Sequence, residues 1–117
     1  MTPEGTIKHW INAFLFTLHS PSSGVSLYYR MPVPTGYGQP GLDYEGCING
    51  QFFAIEAKAP GEWLTPRQRR TARDMVTGGG KVFIVSSPEG LEAFVRWVDT
   101  LRAPHARTKR PRRFAGR

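Results

Sequence analysis

The dipeptide Asn49-Gly50 constrains the fold of this chain most strongly, because it separates two short runs with the character of β-strands, LDYEGCI and QFFAIEAKA. Asn-Gly is the preferred pair for a two-residue hairpin turn, in which both central residues take a positive φ angle. Such a turn fixes the register: Ile48 lies opposite Gln51, and each further pair of residue numbers sums to 99. The two runs are therefore predicted to form an antiparallel hairpin.

This register places two acidic side chains, Asp43 and Glu56, directly opposite each other. Opposite residues have Cβ atoms about 4.5–5.5 Å apart, and like charges at that distance destabilise a sheet. A cation would relieve the conflict. Lys58 lies two residues beyond Glu56 on the same face, and Mg²⁺ binds through one or two carboxylates. The alternative is a surface face with one internal salt bridge, and a β-bulge would move Asp43 to the other face.

Two further acids could extend this site. Glu45 shares the face of Asp43, and we expect either an additional ligand or, as the simpler case, an exposed strand carboxylate. Glu4 lies one turn before Ile7, on the apolar stripe of a predicted helix. A core-facing Glu4 could reach a metal ion, or it could complement the positive N-terminal end of its helix.

Three hydroxyl-proline pairs predict the starts of three helices, because the hydroxyl caps the helix and Pro is favoured in its first turn. They are Thr2-Pro3, Thr65-Pro66 and Ser87-Pro88. Besides the hairpin, strands are predicted in VSLYYRMPV and KVFIV, and Phe53 and Ile55 should face the core. The order α-β-β-β-α-β-α predicts an α/β fold of the α+β kind, with a mixed four-stranded sheet flanked by helices.

The charge of the chain is concentrated at one end. Of 117 residues, those from 1 to 101 carry nine Lys/Arg and nine Asp/Glu, whereas residues 102–117 carry seven Lys/Arg and no acid. The length suits one domain, so we predict a domain over 1–101 and a basic tail over 102–117. The tail has almost no apolar content and is expected to be disordered when free.

A clustered basic tail favours an arm that binds a polyanion, most plausibly nucleic acid, over a merely solubilising terminus. Its expected nucleic-acid-binding residues are Arg107, Lys109, Arg110, Arg112 and Arg113. The single cysteine, Cys47, excludes an intrachain disulfide and a multi-cysteine zinc site. Since neither a membrane-spanning run nor a signal peptide is recognisable, we expect a cytoplasmic protein without membrane contact.

The spacing of these residues resembles the PD-(D/E)XK nuclease superfamily, and within it the VRR-NUC-type branch with its small stand-alone phage nucleases. The resemblance covers roughly residues 4 to 98. The motifs that carry it are Gly41-x-Asp43, Glu56-x-Lys58, Pro60-Gly61 and Leu64-Thr65-Pro66-x-Gln68. Leu42 departs from the superfamily pattern, which names Pro before the Asp.

The resemblance implies a restriction-endonuclease-like fold and a Mg²⁺- or Mn²⁺-dependent deoxyribonuclease. Asp43, Glu56 and the Ala57 carbonyl would hold the metal ion, while Lys58 would orient the attacking water and stabilise charge on the phosphate. Gln68 would contact that water or the Lys58 region. Gln68 belongs to the helix predicted to begin at Thr65-Pro66. Four arginines lie near the N-terminus of this helix, which is an end that binds phosphate, and at least two of them should simply form a solvated face. They are Arg67, Arg69, Arg70 and Arg73.

The resemblance also implies DNA as the partner, selectivity for branched DNA such as Holliday junctions, a homodimer, and a bacterial or phage-infected host cell. No small-molecule cofactor is expected. Two alternatives remain open at this point. The chain could be a non-catalytic nucleic-acid-binding protein with the same fold, or a phage DNA-packaging or assembly protein with a basic arm.

Overall fold

A computed structural model of the chain describes residues 1–34 and 36–102. Its helices and strands, in chain order, are α1 (Pro3–Leu18), β1 (Leu27–Arg30), β2 (Tyr44–Ile48), β3 (Gln51–Ala57), α2 (Pro66–Thr77), β4 (Lys81–Val85) and α3 (Pro88–Leu101), with a 3₁₀ turn at Pro21–Ser23. The sheet order is β1-β2-β3-β4; the first three strands are antiparallel and β4 runs parallel to β3. The predicted α/β fold with a mixed four-stranded sheet is confirmed.

Each helix begins at its predicted hydroxyl cap. The side chains of Thr2, Thr65 and Ser87 accept hydrogen bonds from backbone amides three residues later, and Pro follows each of them. These bonds satisfy amide groups that have no partner within the helix. At α2 the cap is reciprocal, because the Gln68 side chain also accepts from the Thr65 amide at 3.0 Å.

The hairpin turn has the predicted register. Asn49 and Gly50 have φ angles of 51° and 83°, and the ladder runs from the pair Ile48–Gln51 to the pair Tyr44–Ile55. Strand β2 begins at Tyr44, so Asp43 lies one residue before the ladder. The Asn49 side chain ties the turn to its surroundings, since it donates to the Leu101 carbonyl at 2.7 Å and accepts from the Ser26 amide at 2.8 Å.

The hydrophobic core lies between one face of the sheet and the helices α1 and α3. Phe53 and Ile55 are fully buried there, as predicted. The core cluster also contains Ile7, Ile11, Leu15, Leu18, Tyr44, Ile48, Ala57, Val85, Phe94 and Val98. Because successive residues of a strand alternate between faces, Glu56 projects to the opposite face, where α2 brings Gln68 to it.

Strands β1 and β2 approach each other closely at Gly46. A Cβ atom at this position would lie 2.0 Å from the Tyr28 carbonyl oxygen and 2.6 Å from the Tyr29 Cα. Both neighbours are backbone atoms, which cannot move without disturbing the ladder between the two strands. Gly46 is therefore required by the sheet that holds Asp43 in position.

Some sequence predictions fall on residues outside the described ranges. The basic tail beyond Arg102, with its predicted DNA-binding residues, is among them, so the prediction of a disordered nucleic-acid arm stays a prediction. Within residues 1–34 and 36–102, none of the helices has the length and apolar character needed to cross a membrane.

Candidate active site

Asp43 and Glu56 meet at the open end of the β2–β3 hairpin. The Asp43 amide donates to Glu56 Oε1 at 3.0 Å, and the Ala57 amide donates to Asp43 Oδ2 at 2.9 Å. The Glu56 carboxylate is thus bound by the backbone amide of Asp43 itself, and the Asp43 carboxylate by the amide of the residue after Glu56. The predicted register brings the two acids together, but through these bonds between side chain and backbone rather than as a pair within the strand ladder.

Glu56 is an acid in a site that disfavours its charge. The residue is only 4% exposed, and burial, followed by repulsion from Asp43, raises the pKa of its carboxyl above the ordinary value. Two donors converge on its Oε2 atom: Lys58 Nζ at 3.6 Å and Gln68 Nε2 at 2.9 Å. The hydrogen bond from the Asp43 amide and the charge of Lys58 lower the pKa of Glu56 in part, but its net shift is still upward.

The backbone of Lys58 is fixed next to Glu56 by a hydrogen bond at the end of the β3–β4 pairing. Its backbone amide donates to the Val85 carbonyl at 2.9 Å, which continues the pairing with β4 one residue beyond β3. The side chain is 13% exposed. Its ammonium therefore lies at the edge of the site, close to the Glu56 carboxylate and still partly accessible to solvent.

Gln68 has two contacts with separate functions. Its Oε1 atom accepts from the Thr65 amide and completes the cap of α2, while its Nε2 atom donates to Glu56. The resemblance implied a contact with water or with the Lys58 region. In the structure Gln68 binds the same carboxylate oxygen that Lys58 approaches, so it fixes the orientation of Glu56.

Lys8 belongs to the site and was missed by sequence reasoning. Its Nζ atom lies 3.8 Å from Asp43 Oδ1 and 3.3 Å from Glu4 Oε2. Burial by itself lowers the pKa of this ammonium, but attraction to Asp43 and Glu4 outweighs it, so the pKa is raised. The four-residue spacing of Glu4 and Lys8 indicated that they pair on a helix, but only the packing of α1 brings that pair to Asp43.

Of the two interpretations of Glu4, the charge at the N-terminal end of its helix fits the structure and the core-facing ligand does not, whereas the preferred interpretation of Glu45 is wrong. Glu4 does not face the core, because its side chain is 45% exposed and paired with Lys8 at the first turn of α1. Glu45 is not an exposed strand carboxylate, because its side chain is only 14% exposed. Glu45 accepts from the Leu42 amide at 3.1 Å and lies 3.8 Å from Arg30, and this pairing positions the residue before Asp43.

The oxygen atoms of this site fit a hard divalent cation. Mg²⁺ is held by one or two carboxylates and keeps several water ligands, which matches a pair of acids. The Ala57 amide points to Asp43, and in a strand the carbonyl group of the same residue projects to the same side. The Ala57 carbonyl oxygen is therefore a candidate for a third ligand of the cation. Within residues 1–34 and 36–102 no cluster of three or more His, Cys, Asp or Glu forms a fuller cation site.

A groove adjoins the acids on the α2 side of the sheet. It has a volume of about 710 Å³ and lies between residues 32–34 and 36–41 on one side and α2 on the other. Arg67 and Gln68 line it, whereas Arg69, Arg70 and Arg73 are exposed on α2 outside it. In the part of the chain that the structure describes, none of these four arginines forms an ion pair.

Comparison of the chain with family models, with curated proteins and with solved structures gave no match.

Proposed function

We propose that this protein is a Mg²⁺- or Mn²⁺-dependent nuclease that hydrolyses phosphodiester bonds in DNA, and that it belongs to the PD-(D/E)XK superfamily. The observation that carries the proposal is the convergence of Asp43, Glu56 and Lys58 at one end of the hairpin. Two carboxylates and an ammonium on one partly buried surface suit the hydrolysis of a phosphate ester. The fold has the order of elements that the resemblance implies.

The burial of Glu56 favours a catalyst over a protein that only binds DNA. A buried acid next to a second acid disfavours its own ionised form, which lowers the stability of the fold at neutral pH. Binding to a polyanion needs exposed cations and no such carboxylate pair. A catalytic or metal-binding role explains why the chain retains it.

Each residue of the site has a definite part in this proposal. Asp43, Glu56 and the Ala57 carbonyl would hold the ion, which when bound supplies a Lewis acid for the scissile phosphate and a more acidic water. Lys58, as a compact positive charge, stabilises the negative charge that grows on the phosphate. Gln68 holds Glu56 in orientation, and Lys8 partly balances the charge of Asp43 when no ion is bound.

The charge of the protein supports a polyanionic substrate. Exposed Arg67 and Arg70 lie on α2 near the site, and the basic tail would add further phosphate contacts. We include in the proposal a preference for branched DNA, a homodimer, and the cytoplasm of a bacterial or phage-infected cell. These finer points rest on the resemblance of the motif.

Cleavage assays test the proposal directly. Purified protein is incubated with plasmid, single-stranded and four-way-junction DNA in Mg²⁺, in Mn²⁺ and in EDTA. We expect metal-dependent cleavage that Glu56→Gln lowers by more than about 100-fold, beyond the usual loss for a residue that only supports a metal ligand. Glu62→Gln, an exposed acid in the following loop, is the matched control and should cleave normally.

Both variants should bind DNA as the wild-type protein does. Absence of cleavage on every substrate with either ion would contradict the proposal, as would full activity in Glu56→Gln.

A further inference from the structure

The groove beside the acids has a wall that the proposed chemistry does not use. This wall consists of residues 32–34 and 36–41, which include Pro32, Pro34 and Pro40. Tyr37 lies in this wall and lines the groove, with 89% of its surface exposed.

The opposite wall and the strands supply cations and polar groups. Arg67 lines the groove from α2, and Arg30 lines it from the end of β1. Glu45 also lines the groove and pairs with Arg30, so its negative charge cancels one of the two arginine charges and one positive charge is left. The groove therefore combines a net positive charge with an exposed aromatic ring.

The groove also leads to the candidate active site. Gln68 lines it and donates to Glu56 Oε2 at 2.9 Å. A ligand that fills the groove thus reaches the residue that orients Glu56. Its volume of about 710 Å³ is of the size that encloses a small molecule. One or two nucleotides are of this size.

We propose that the groove binds a short unpaired strand of DNA, with one base stacked on Tyr37 and its phosphates near Arg30 and Arg67. Proteins that bind single strands combine a positive groove with aromatic side chains on which bases stack. For its meaning in catalysis the assignment rests on the proposed nuclease function. It then defines the substrate class: DNA with an unpaired segment next to the scissile phosphate.

Binding without divalent ions tests the groove separately from cleavage. An oligo-dT of about ten nucleotides carrying a fluorescent label is titrated with the full chain in EDTA, and anisotropy is recorded. Tyr37→Leu should weaken binding about 5- to 150-fold, because it removes the ring on which a base stacks. Tyr37→Phe keeps the ring and should bind like the wild-type protein.

Trp63→Leu is the matched control. Trp63 is also an exposed aromatic residue on a loop near the site, but it does not line the groove. Its variant should bind oligo-dT normally, and duplex DNA of equal length should bind equally to all four proteins. Unchanged oligo-dT binding by Tyr37→Leu would overturn the assignment, and so would an equal loss of duplex binding.

The two proposals fail in different ways. Binding of oligo-dT that depends on Tyr37, in a protein that cleaves no DNA with Mg²⁺ or Mn²⁺, would contradict the nuclease function and support the groove. Metal-dependent cleavage by a protein whose affinity for oligo-dT does not depend on Tyr37 would contradict strand binding in the groove and support the nuclease function. Melting temperatures of the Tyr37 variants and of the wild-type protein, recorded alongside, check that the compared proteins are folded.

Discussion

The Asp43 amide donates to Glu56 Oε1 at 3.0 Å, while Asp43 Oδ2 accepts from the amide of Ala57, the residue after Glu56, at 2.9 Å. This exchange holds two carboxylates beside each other in spite of their repulsion, because each is bound by backbone donors that cannot move away. The arrangement favours a cation, and it makes the stability of the protein depend on pH.

Without divalent ions, stability should depend on pH through Glu56. Its pKa in the folded protein is raised above the ordinary value of 4.5, so folding favours the protonated form. This contribution is complete below about pH 4.5 and is lost as the pH rises through the folded-state pKa. The free energy of unfolding of the wild-type protein should therefore fall, relative to Glu56→Gln, between about pH 4.5 and neutrality.

Urea unfolding of both proteins in EDTA at several pH values measures this difference. A difference that stays constant with pH, or that changes in favour of the wild-type protein as the pH rises, would show that Glu56 ionises freely.

Removal of the Lys8 charge should tighten metal binding. Lys8 Nζ lies 3.8 Å from Asp43 Oδ1, and a unit charge at about 4 Å contributes about 1 kcal/mol in water. Lys8→Gln should therefore bind Mn²⁺ about fivefold more tightly in calorimetric titrations. Lys81→Gln is the control. It removes an exposed charge at the start of β4, three residues before Ile84, which pairs with Glu56, and it should leave the affinity for Mn²⁺ unchanged. Weaker binding by Lys8→Gln would contradict this reasoning.

Variants of Gln68 and Thr65 should separate helix capping from the orientation of Glu56. Both Gln68→Ala and Thr65→Ala remove part of the reciprocal cap of α2, at a cost of about 1 kcal/mol in stability. Only Gln68→Ala removes the donor to Glu56. We expect it alone to lower kcat, by about 10- to 100-fold. Equal kcat values for the two variants would show that Gln68 acts only as a cap.

Gly46→Ala should destabilise the sheet strongly. The added methyl group would meet backbone atoms of Tyr28 and Tyr29 within 2.6 Å, and we expect a loss of at least about 3 kcal/mol in the free energy of unfolding. Gly78→Ala is the control, because its nearest contact would be 3.4 Å and its φ is −76°. That variant should change stability by less than about 1 kcal/mol. Similar losses in the free energy of unfolding for Gly46→Ala and Gly78→Ala would mean that β1 moves to accommodate the methyl group.

The local part of the fold could be predicted because each signal acts over a few residues. The Asn49-Gly50 turn sets the register of the hairpin, and the three hydroxyl-proline pairs set the helix starts. The convergence of Asp43 and Glu56 follows from the same register. These predictions needed no knowledge of how distant elements pack.

The remaining features depend on tertiary packing. Lys8 reaches Asp43 only because α1 packs against the sheet beside Tyr44, whose hydroxyl group donates to Asn12 Oδ1 at 2.9 Å. Glu45 is shielded because Arg30 and the chain before Asp43 lie around it. The groove forms between residues 32–34 and 36–41 on one side and α2 on the other, which are far apart in the sequence. Such contacts over long separations leave no local pattern.

The rate of DNA cleavage as a function of Mg²⁺ concentration tests the central claim most directly, with the wild-type protein and Asp43→Asn compared under single-turnover conditions. We expect no cleavage in EDTA, a saturable increase for the wild-type protein, and a midpoint at a higher Mg²⁺ concentration for Asp43→Asn. Cleavage that persists in EDTA, or identical Mg²⁺ curves for the two proteins, would contradict a metal ion held by Asp43 and Glu56.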